Sequence, residues 1–299
     1  MRILVTGKNG QLGRSIQKIV NTGTKIDNNQ SPNDFIFVGR EELDLSSESN
    51  IGHYFKNNKF DIIINCAAYV QVDKAEQEVE LANQINHLAV KQLASIASNQ
   101  QAKLLHISTD YVFDGESAKP YIETDTPNPI NAYGKTKLAG EKALQTVMPM
   151  NTLIIRTSWL YSEYSNNFVS TMLRLGRERD ELSVVSDQMG SPTYAADLAD
   201  VILEIIKHKK FRDLGQTTQT YHYSGEGKIS WYEFAKEIFK IEKIECEVNS
   251  ITTDQYPSPA KRPRNTTMNK DKIVEVFNIK IFNWKSSLNT CMTTLKKQQ

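Results

Sequence analysis

The chain predicts an α/β fold, a doubly wound parallel sheet with a smaller, interleaved C-terminal domain. Three observations predict it. Short, β-branched apolar runs alternate with longer segments of helical period through the first half, the pattern of βαβ units. A glycine-rich turn joins the first run directly to the first helical segment. The second half mixes helical with extended, proline-punctuated segments and contains no repeat or linker, which suits two domains with crossing chain segments.

Taken in order, the strand candidates are 2–7, 35–40, 61–67, 103–109 and 152–157. Each is nearly continuous in apolar residues, as expected where helices cover both faces of a sheet. Apolar spacing near 3.6 predicts helices over 11–20, 78–98 and 132–147. Later helices are expected over 167–179 and 195–207, and over 230–240 with Ser230 as N-cap after Gly227. Pro257, Pro259 and Pro263 predict an extended or looped stretch. The larger domain is expected to take residues 1–160 with a returning segment near 191–225, and the smaller one 161–190 and 226–299.

With 299 residues the chain is long enough for one large or two interleaved units, at about 100–200 residues per domain. Thirty-six basic against 35 acidic side chains give a formal net charge of +1. That balance offers no electrostatic footprint for nucleic acid. Arg2-Ile3-Leu4-Val5-Thr6 follows Met1 without a signal-peptide pattern, and no apolar run approaches the roughly 20 residues of a membrane helix. A cytoplasmic location without membrane partners is therefore expected. Cys66, Cys246 and Cys291 form neither a disulfide framework nor a CxxC pair and are read as reduced. Five scattered histidines, without HExxH or a Cys/His cluster, predict no metal site.

The turn is Gly7-Lys8-Asn9-Gly10-Gln11-Leu12-Gly13, placed between strand and helix. Gly7 bends the chain, Gly10 lets the backbone approach a pyrophosphate, and Gly13 permits close helix–strand packing. The free N–H groups of the following helix, Gln11 and Leu12 among them, then face the anion. These features predict a Rossmann-type dinucleotide site. The second strand ends at Arg40, where NAD-specific proteins usually carry a carboxylate. Arg40 pairs with a 2′-phosphate on one reading, which favours NADPH and leaves NADH possible, and is a solvated surface charge on the other. Asp44-Leu45 either meets the adenine or starts the next helix.

Tyr133 and Lys137, four residues apart, share one helical face. A tyrosine with a free pKa of about 10 can protonate a developing alkoxide near neutral pH if a nearby cation stabilises the phenolate. Lys137 is the expected cation; a lowering by about two units corresponds to roughly 3 kcal/mol. The preceding strand ends in Ser108-Thr109-Asp110-Tyr111, at the carboxyl edge where open α/β sheets bind ligands. Thr109 is placed there to hydrogen-bond a substrate carbonyl.

Together these residues resemble the dTDP-4-dehydrorhamnose reductases of the extended short-chain dehydrogenase/reductase group, over essentially the whole chain. The resemblance also rests on Asn65-Cys66-Ala67-Ala68-Tyr69, Val72-Asp73-Lys74-Ala75-Glu76 and Tyr133-Gly134-Lys135-Thr136-Lys137-Leu138-Ala139-Gly140-Glu141. It continues through Arg156-Thr157-Ser158-Trp159, Asn166-Asn167-Phe168, Asp187-Gln188-Met189-Gly190-Ser191-Pro192-Thr193 and Arg262-Pro263. It implies reduction of a dTDP-4-dehydro sugar by hydride transfer to C4, with Tyr133 protonating O4, Thr109 assisting and Lys137 also holding the nicotinamide ribose. It further implies that Ala68, Tyr69 and Val70 line the cofactor cleft while Thr109, Asp110 and Trp159 face the sugar nucleotide. Arg262 is either a phosphate partner or a surface charge. Gly13-Arg14-Ser15-Ile16 lacks the carboxylates with which some relatives bind magnesium at a dimer contact. No metal is expected there, and monomer and homodimer stay open. Another nucleotide-sugar keto reductase or epimerase, and a noncatalytic cofactor-binding regulatory subunit, are the competing readings.

Overall fold

The computed structural model describes residues 1–23 and 33–297. The first half runs β1 (Arg2–Thr6), α1 (Gln11–Thr22), β2 (Asp34–Val38), α2 (Glu48–Lys56) and β3 (Ile62–Asn65). It continues through α3 (Val72–Ala75), α4 (Val79–Asn83), α5 (Ala89–Asn99), β4 (Lys103–Thr109), α6 (Ala132–Val147) and β5 (Thr152–Thr157). The second half contributes β6 (Leu160–Tyr161), α7 (Phe168–Glu178), β7 (Glu181–Val185), β8 (Met189–Gly190), β9 (Thr193–Tyr194), α8 (Ala195–Lys207), α9 (Lys209–Arg212) and β10 (Gln219–His222). Last come β11 (Ile229–Ser230), α10 (Trp231–Glu242), β12 (Glu247–Ile251), α11 (Asp271–Phe277) and α12 (Trp284–Lys296).

Six of these strands form one sheet in the order β10-β5-β4-β3-β1-β2, every pair parallel. The period-two alternation of apolar strands decides which core each side chain enters. Leu4, Ile63, Leu104 and Ile154 pack under Ile51 of α2, Leu93 of α5 and Leu144 of α6. Their neighbours Ile3, Val5, Ile64, Leu105 and Ile155 pack on the other face against Ile16 of α1, Ile202 of α8 and Phe277 of α11. Each such Leu or Ile contributes about 1.5–3 kcal/mol relative to exposure. The chain order therefore reverses between β1 and β3, where open sheets place their ligand crevice.

A second core gathers Met172 of α7, Leu182 and Val184 of β7, Phe234 and Ile238 of α10, and Leu288 and Met292 of α12. β7 pairs in parallel with β12. Helix starts here are locally encoded. Asn167 caps α7 with Ser170 as reciprocal partner, and Ser230 caps α10 with Glu233, so each box satisfies two helix-end donors. The Pro257–Pro263 stretch carries neither helix nor strand.

Two differences from the sequence reading have physical causes. The single helix expected over 78–98 is α4 and α5 joined by a π-helical segment, Gln84–Leu88. Within it the Asn86 side chain turns away to bond both Tyr69 N (2.9 Å) and Tyr69 O (3.0 Å), tying the helix to the loop after β3. The sixth strand, β10, escaped notice because its Gln219-Thr220-Tyr221-His222 lacks a continuous apolar run. It is ordered by pairing with β5.

Helix α6 is anchored to the sheet by a buried ion pair. Arg156 of β5 donates to Glu141 through Nη2 (2.7 Å) and Nε (3.0 Å), and the Ser108 hydroxyl of β4 donates to the same carboxylate at 2.5 Å. Removing one partner of a buried pair leaves a stranded charge and costs about 3–5 kcal/mol, whereas apolar replacement of both is nearly neutral. Arg156→Met is expected to lose about that amount in urea unfolding, and Glu141→Leu/Arg156→Met to regain more than half of it.

Candidate active site

The carboxyl ends of β1, β3, β4 and β5 open onto a cavity of about 920 Å³. Gly7, Gly10, Gln11, Leu12 and Gly13 line one end of it. Gly7 takes the left-handed backbone (φ +74°), and Gly10 N donates to Gly7 O at 2.9 Å. A Cβ on Gly13 would stand 2.2 Å from Gly7 O, so only glycine allows α1 to start this close to β1. Gly10, the N-cap of α1, makes no side-chain cap bond, and the first turn holds no acidic residue. Its N–H groups and the positive end of the helix dipole thus fit a pyrophosphate.

The Gln11 side chain does something the sequence did not reveal. Nε2 donates to Leu160 O (3.2 Å), while Oε1 accepts from Ser162 Oγ (2.9 Å) and Asn167 Nδ2 (3.0 Å). The cradle is thereby tied to the cap of α7, and Gln11 faces the cavity mainly as backbone.

Beyond β2, Arg40, Asp44 and Leu45 also reach the cavity. Arg40 is largely exposed and its Nε lies 3.4 Å from Asp44 Oδ2, a loose pair that leaves the guanidinium free to turn. Asp44 Oδ1 meanwhile accepts from Ser46 N and Oγ at 2.9 and 2.7 Å. Glu42, the nearby carboxylate, is engaged by Lys8 and by Gly39 N. Ala68, Tyr69 and Val70 line the wall after β3, with Tyr69 Oη donating to Glu78 at 2.7 Å and Val70 exposed at the mouth.

At the centre, α6 brings Tyr133 and Lys137 to the end of β4. Asn131 caps the helix by accepting from Gly134 N at 2.8 Å. A Cβ on Gly134 would lie 2.1 Å from Tyr111 O, so glycine lets this turn of the helix press against the strand end. Burial pushes the Tyr133 hydroxyl up to about 12, opposed by its hydrogen bond with Thr109. The same burial brings Lys137 down to about 8, against the pull of Glu141. This departs from the expectation that Lys137 lowers the tyrosine pKa. The ammonium donates to Ile107 O at 2.6 Å. Thr109 Oγ1 donates to Asp110 Oδ1 (3.0 Å) and accepts from Tyr111 N (3.2 Å). Burial raises the Asp110 carboxyl to about 7. Asp110 is buried in the lining, and its low-dielectric setting disfavours the charged form.

A family model described as the RmlD substrate binding domain matches residues 1–297. The chain is 41% identical to a dTDP-4-dehydrorhamnose reductase of Aggregatibacter actinomycetemcomitans, covering 96% of this chain and 97% of that one. The chain belongs to the dTDP-4-dehydrorhamnose reductase family. A crystal structure of the Clostridium acetobutylicum reductase superposes with TM-score 0.89 at 40% identity, over 99% of this chain and 100% of that one. The Bacillus anthracis reductase, solved in complex with NADP, gives 0.87 at 37% identity, over 98% of this chain and 99% of that one.

Two further positions complete the site of this family member. Trp159 takes a left-handed backbone (φ +46°), a conformation that costs a non-glycine residue about 1–3 kcal/mol. In return its ring stacks on Trp231 with centroids 3.5 Å apart. Trp231 and Phe168 line the cavity beside it, and both went unassigned in the sequence reading. Trp231 merely follows the Ser230 cap of α10, and nothing in its spacing marks it as a lining residue. Arg262 does not join the lining; its guanidinium is held 2.7 Å from Asp73 Oδ2, so Asp73 of the Val72–Glu76 motif already satisfies it.

Arg40→Ala is expected to raise KM for NADPH about tenfold and leave KM for NADH unchanged, the loss of one charge-assisted bond of ~1.5–3 kcal/mol. Initial rates at 340 nm with each cofactor check it; parallel changes for both would remove Arg40 from 2′-phosphate recognition.

Proposed function

We propose that the protein reduces dTDP-4-dehydro-β-L-rhamnose to dTDP-L-rhamnose, the last step in making that nucleotide sugar. The observation that carries this reading is the meeting of Tyr133, Thr109 and Lys137 in one cavity with the glycine cradle, in a chain 41% identical to a reductase of that name. NADPH, when bound, supplies the hydride that goes to C4. Gly7, Gly10 and Gly13 with the start of α1 would hold its pyrophosphate, Arg40 its 2′-phosphate, Asp44 and Leu45 its adenine end, and Ala68 to Val70 the wall of the cleft. NADH is the weaker alternative.

The protein's own part is to orient the sugar and to deliver a proton. With its hydroxyl held near 12, Tyr133 stays fully protonated at neutral pH, and its Oη gives that proton to O4 as negative charge develops there. Thr109, which lines the same cavity at the end of β4, assists Tyr133 at the carbonyl. Lys137 holds the nicotinamide ribose through its remaining N–H. Asp110 and the Trp159–Trp231 stack face the sugar nucleotide. The cofactor belongs to residues 1–160 with the 191–225 return, and the substrate to 161–190 and 226–299. Among the described residues no helix is long and apolar enough to cross a membrane, in keeping with a cytoplasmic enzyme.

The test follows oxidation of NADPH with dTDP-4-dehydro-L-rhamnose generated in situ, with chromatography of the product. Tyr133→Phe is expected to slow turnover by roughly 10²–10⁴-fold, the contribution of a general acid. Wild-type protein that binds NADPH yet leaves this sugar unchanged would sink the assignment. The pH profile has a definite sign. Lys137 loses its proton as pH rises through about 8, so kcat/KM should fall on the alkaline side from there, with no second loss from Tyr133 until near 12. A profile flat to pH 10 would contradict a charged Lys137 in the reaction.

A further inference from the structure

The sheet carries a row of polar side chains where its neighbours are apolar. Thr6, Asn65 and His106 stand opposite one another across β1, β3 and β4, two residues beyond the register row of Leu4, Ile63 and Leu104. All three are buried on the face that carries α6. Thr6 Oγ1 lies 2.6 Å from Asn65 Oδ1, and Asn65 Nδ2 lies 3.0 Å from His106 Nδ1. The far ring nitrogen, Nε2, is 3.3 Å from Lys137 Nζ. A buried polar row of this kind is retained only if its groups find partners, and the row ends on the lysine.

Lys137 has three N–H donors in its ammonium form and no acceptor. Ile107 O takes one at 2.6 Å, and His106 Nε2 is in place for a second. We propose that His106 is a positioning residue: it accepts from Lys137 through Nε2, so that two of the three N–H groups are fixed from behind and the third is aimed into the cavity. This rests on the reading of Lys137 as the lysine of the reaction. For Nε2 to accept, Nδ1 must carry the ring proton and needs an acceptor. In the structure the Asn65 oxygen accepts from Thr6 Oγ1 and its nitrogen faces His106 Nδ1; acceptance by Nε2 requires the opposite amide orientation, an exchange of two ends of nearly equal size.

Burial, and then the charge of Lys137, hold His106 well below the ordinary histidine range, so the ring is neutral and free to accept. The other ionisable groups about Lys137 are Glu141 and Tyr133 on α6 and Cys66 after β3. Glu141 is bound to Arg156 and Ser108, Tyr133 to Thr109, and the Cys66 thiol is pushed up to about 12 by burial. Among the described residues, none of them hydrogen-bonds Nζ.

Two measurements test the role. In the two-bond ¹H–¹⁵N spectrum of the wild-type protein at pH 7, assigned with His106→Gln, His106 is expected as the Nδ1–H tautomer. In pH profiles of kcat/KM, His106→Leu is expected to move the alkaline limb down by about one unit, the size of one lost hydrogen bond to a charged group. His106→Gln, which keeps an acceptor near the place of Nε2, is expected to restore it. An Nε2–H tautomer at pH 7, or a limb that stays in place in His106→Leu while only its melting temperature falls, overturns the proposal. The wild-type spectrum decides the matter even if the leucine variant does not fold. Lys137→Met tests the underlying reading separately: unchanged turnover there would end the catalytic assignment of Lys137, and the wild-type tautomer would still answer for His106.

Discussion

Much of the site depends on one buried carboxylate. Glu141 lies fully inside, between α6 and the sheet, and accepts from Arg156 on β5 and Ser108 on β4. A helix docked only by Leu138 and Leu144 could slide along an apolar surface at little cost. A charged group with directional partners on two strands cannot slide, because a displaced ion pair loses its hydrogen bonds while its desolvation cost remains. The register of α6 is thus fixed about two turns beyond Tyr133, and Tyr133 and Lys137 reach the end of β4 with defined orientation. The pair contributes little to net stability by this argument; its effect is on position.

That fixed position explains an electrostatic arrangement that looks unfavourable at first. Both members of the Tyr-x-x-x-Lys pair are shifted toward their neutral forms, the tyrosine up and the lysine down, by the same burial. For a proton donor this is serviceable. A phenol that holds its proton across the physiological range is always loaded, and it releases the proton only when a stronger base, the developing alkoxide, forms against it. The lysine needs only to keep its charge to about pH 8, where desolvation is opposed first by the charge of Glu141.

The alternation of apolar runs with helical periods made the first five strands and the helices beside the site legible, because burial on both sheet faces writes itself into sequence as near-continuous Ile, Leu and Val. The glycine turn and the Tyr133–Lys137 spacing were legible for a similar reason, since each imposes a steric or angular demand that few residue types meet. What stayed hidden depends on contacts between distant segments. Trp231 reaches the cavity by stacking on Trp159, some seventy positions earlier, and β10 is a strand chiefly because β5 offers it an edge. Gln11 lines the cavity beside the glycine turn, but the bonds of its side chain to Leu160, Ser162 and Asn167 cross about 150 residues of sequence. Arg262, read either as a phosphate partner or as a surface charge, pairs with Asp73, 189 positions away, which no local pattern announces.

The Gln11 bonds bear on how the two halves act together. The backbone of Gln11 opens α1, and its side-chain amide holds the 160–167 stretch that begins beside Trp159 and ends at the cap of α7. These three hydrogen bonds, of 2.9–3.2 Å, connect the start of α1 to a stretch ending at Asn167, which lines the same cavity together with Asn166 and Phe168. Such short connections between segments about 150 positions apart set the aromatic wall and the glycine cradle relative to each other by the fold itself.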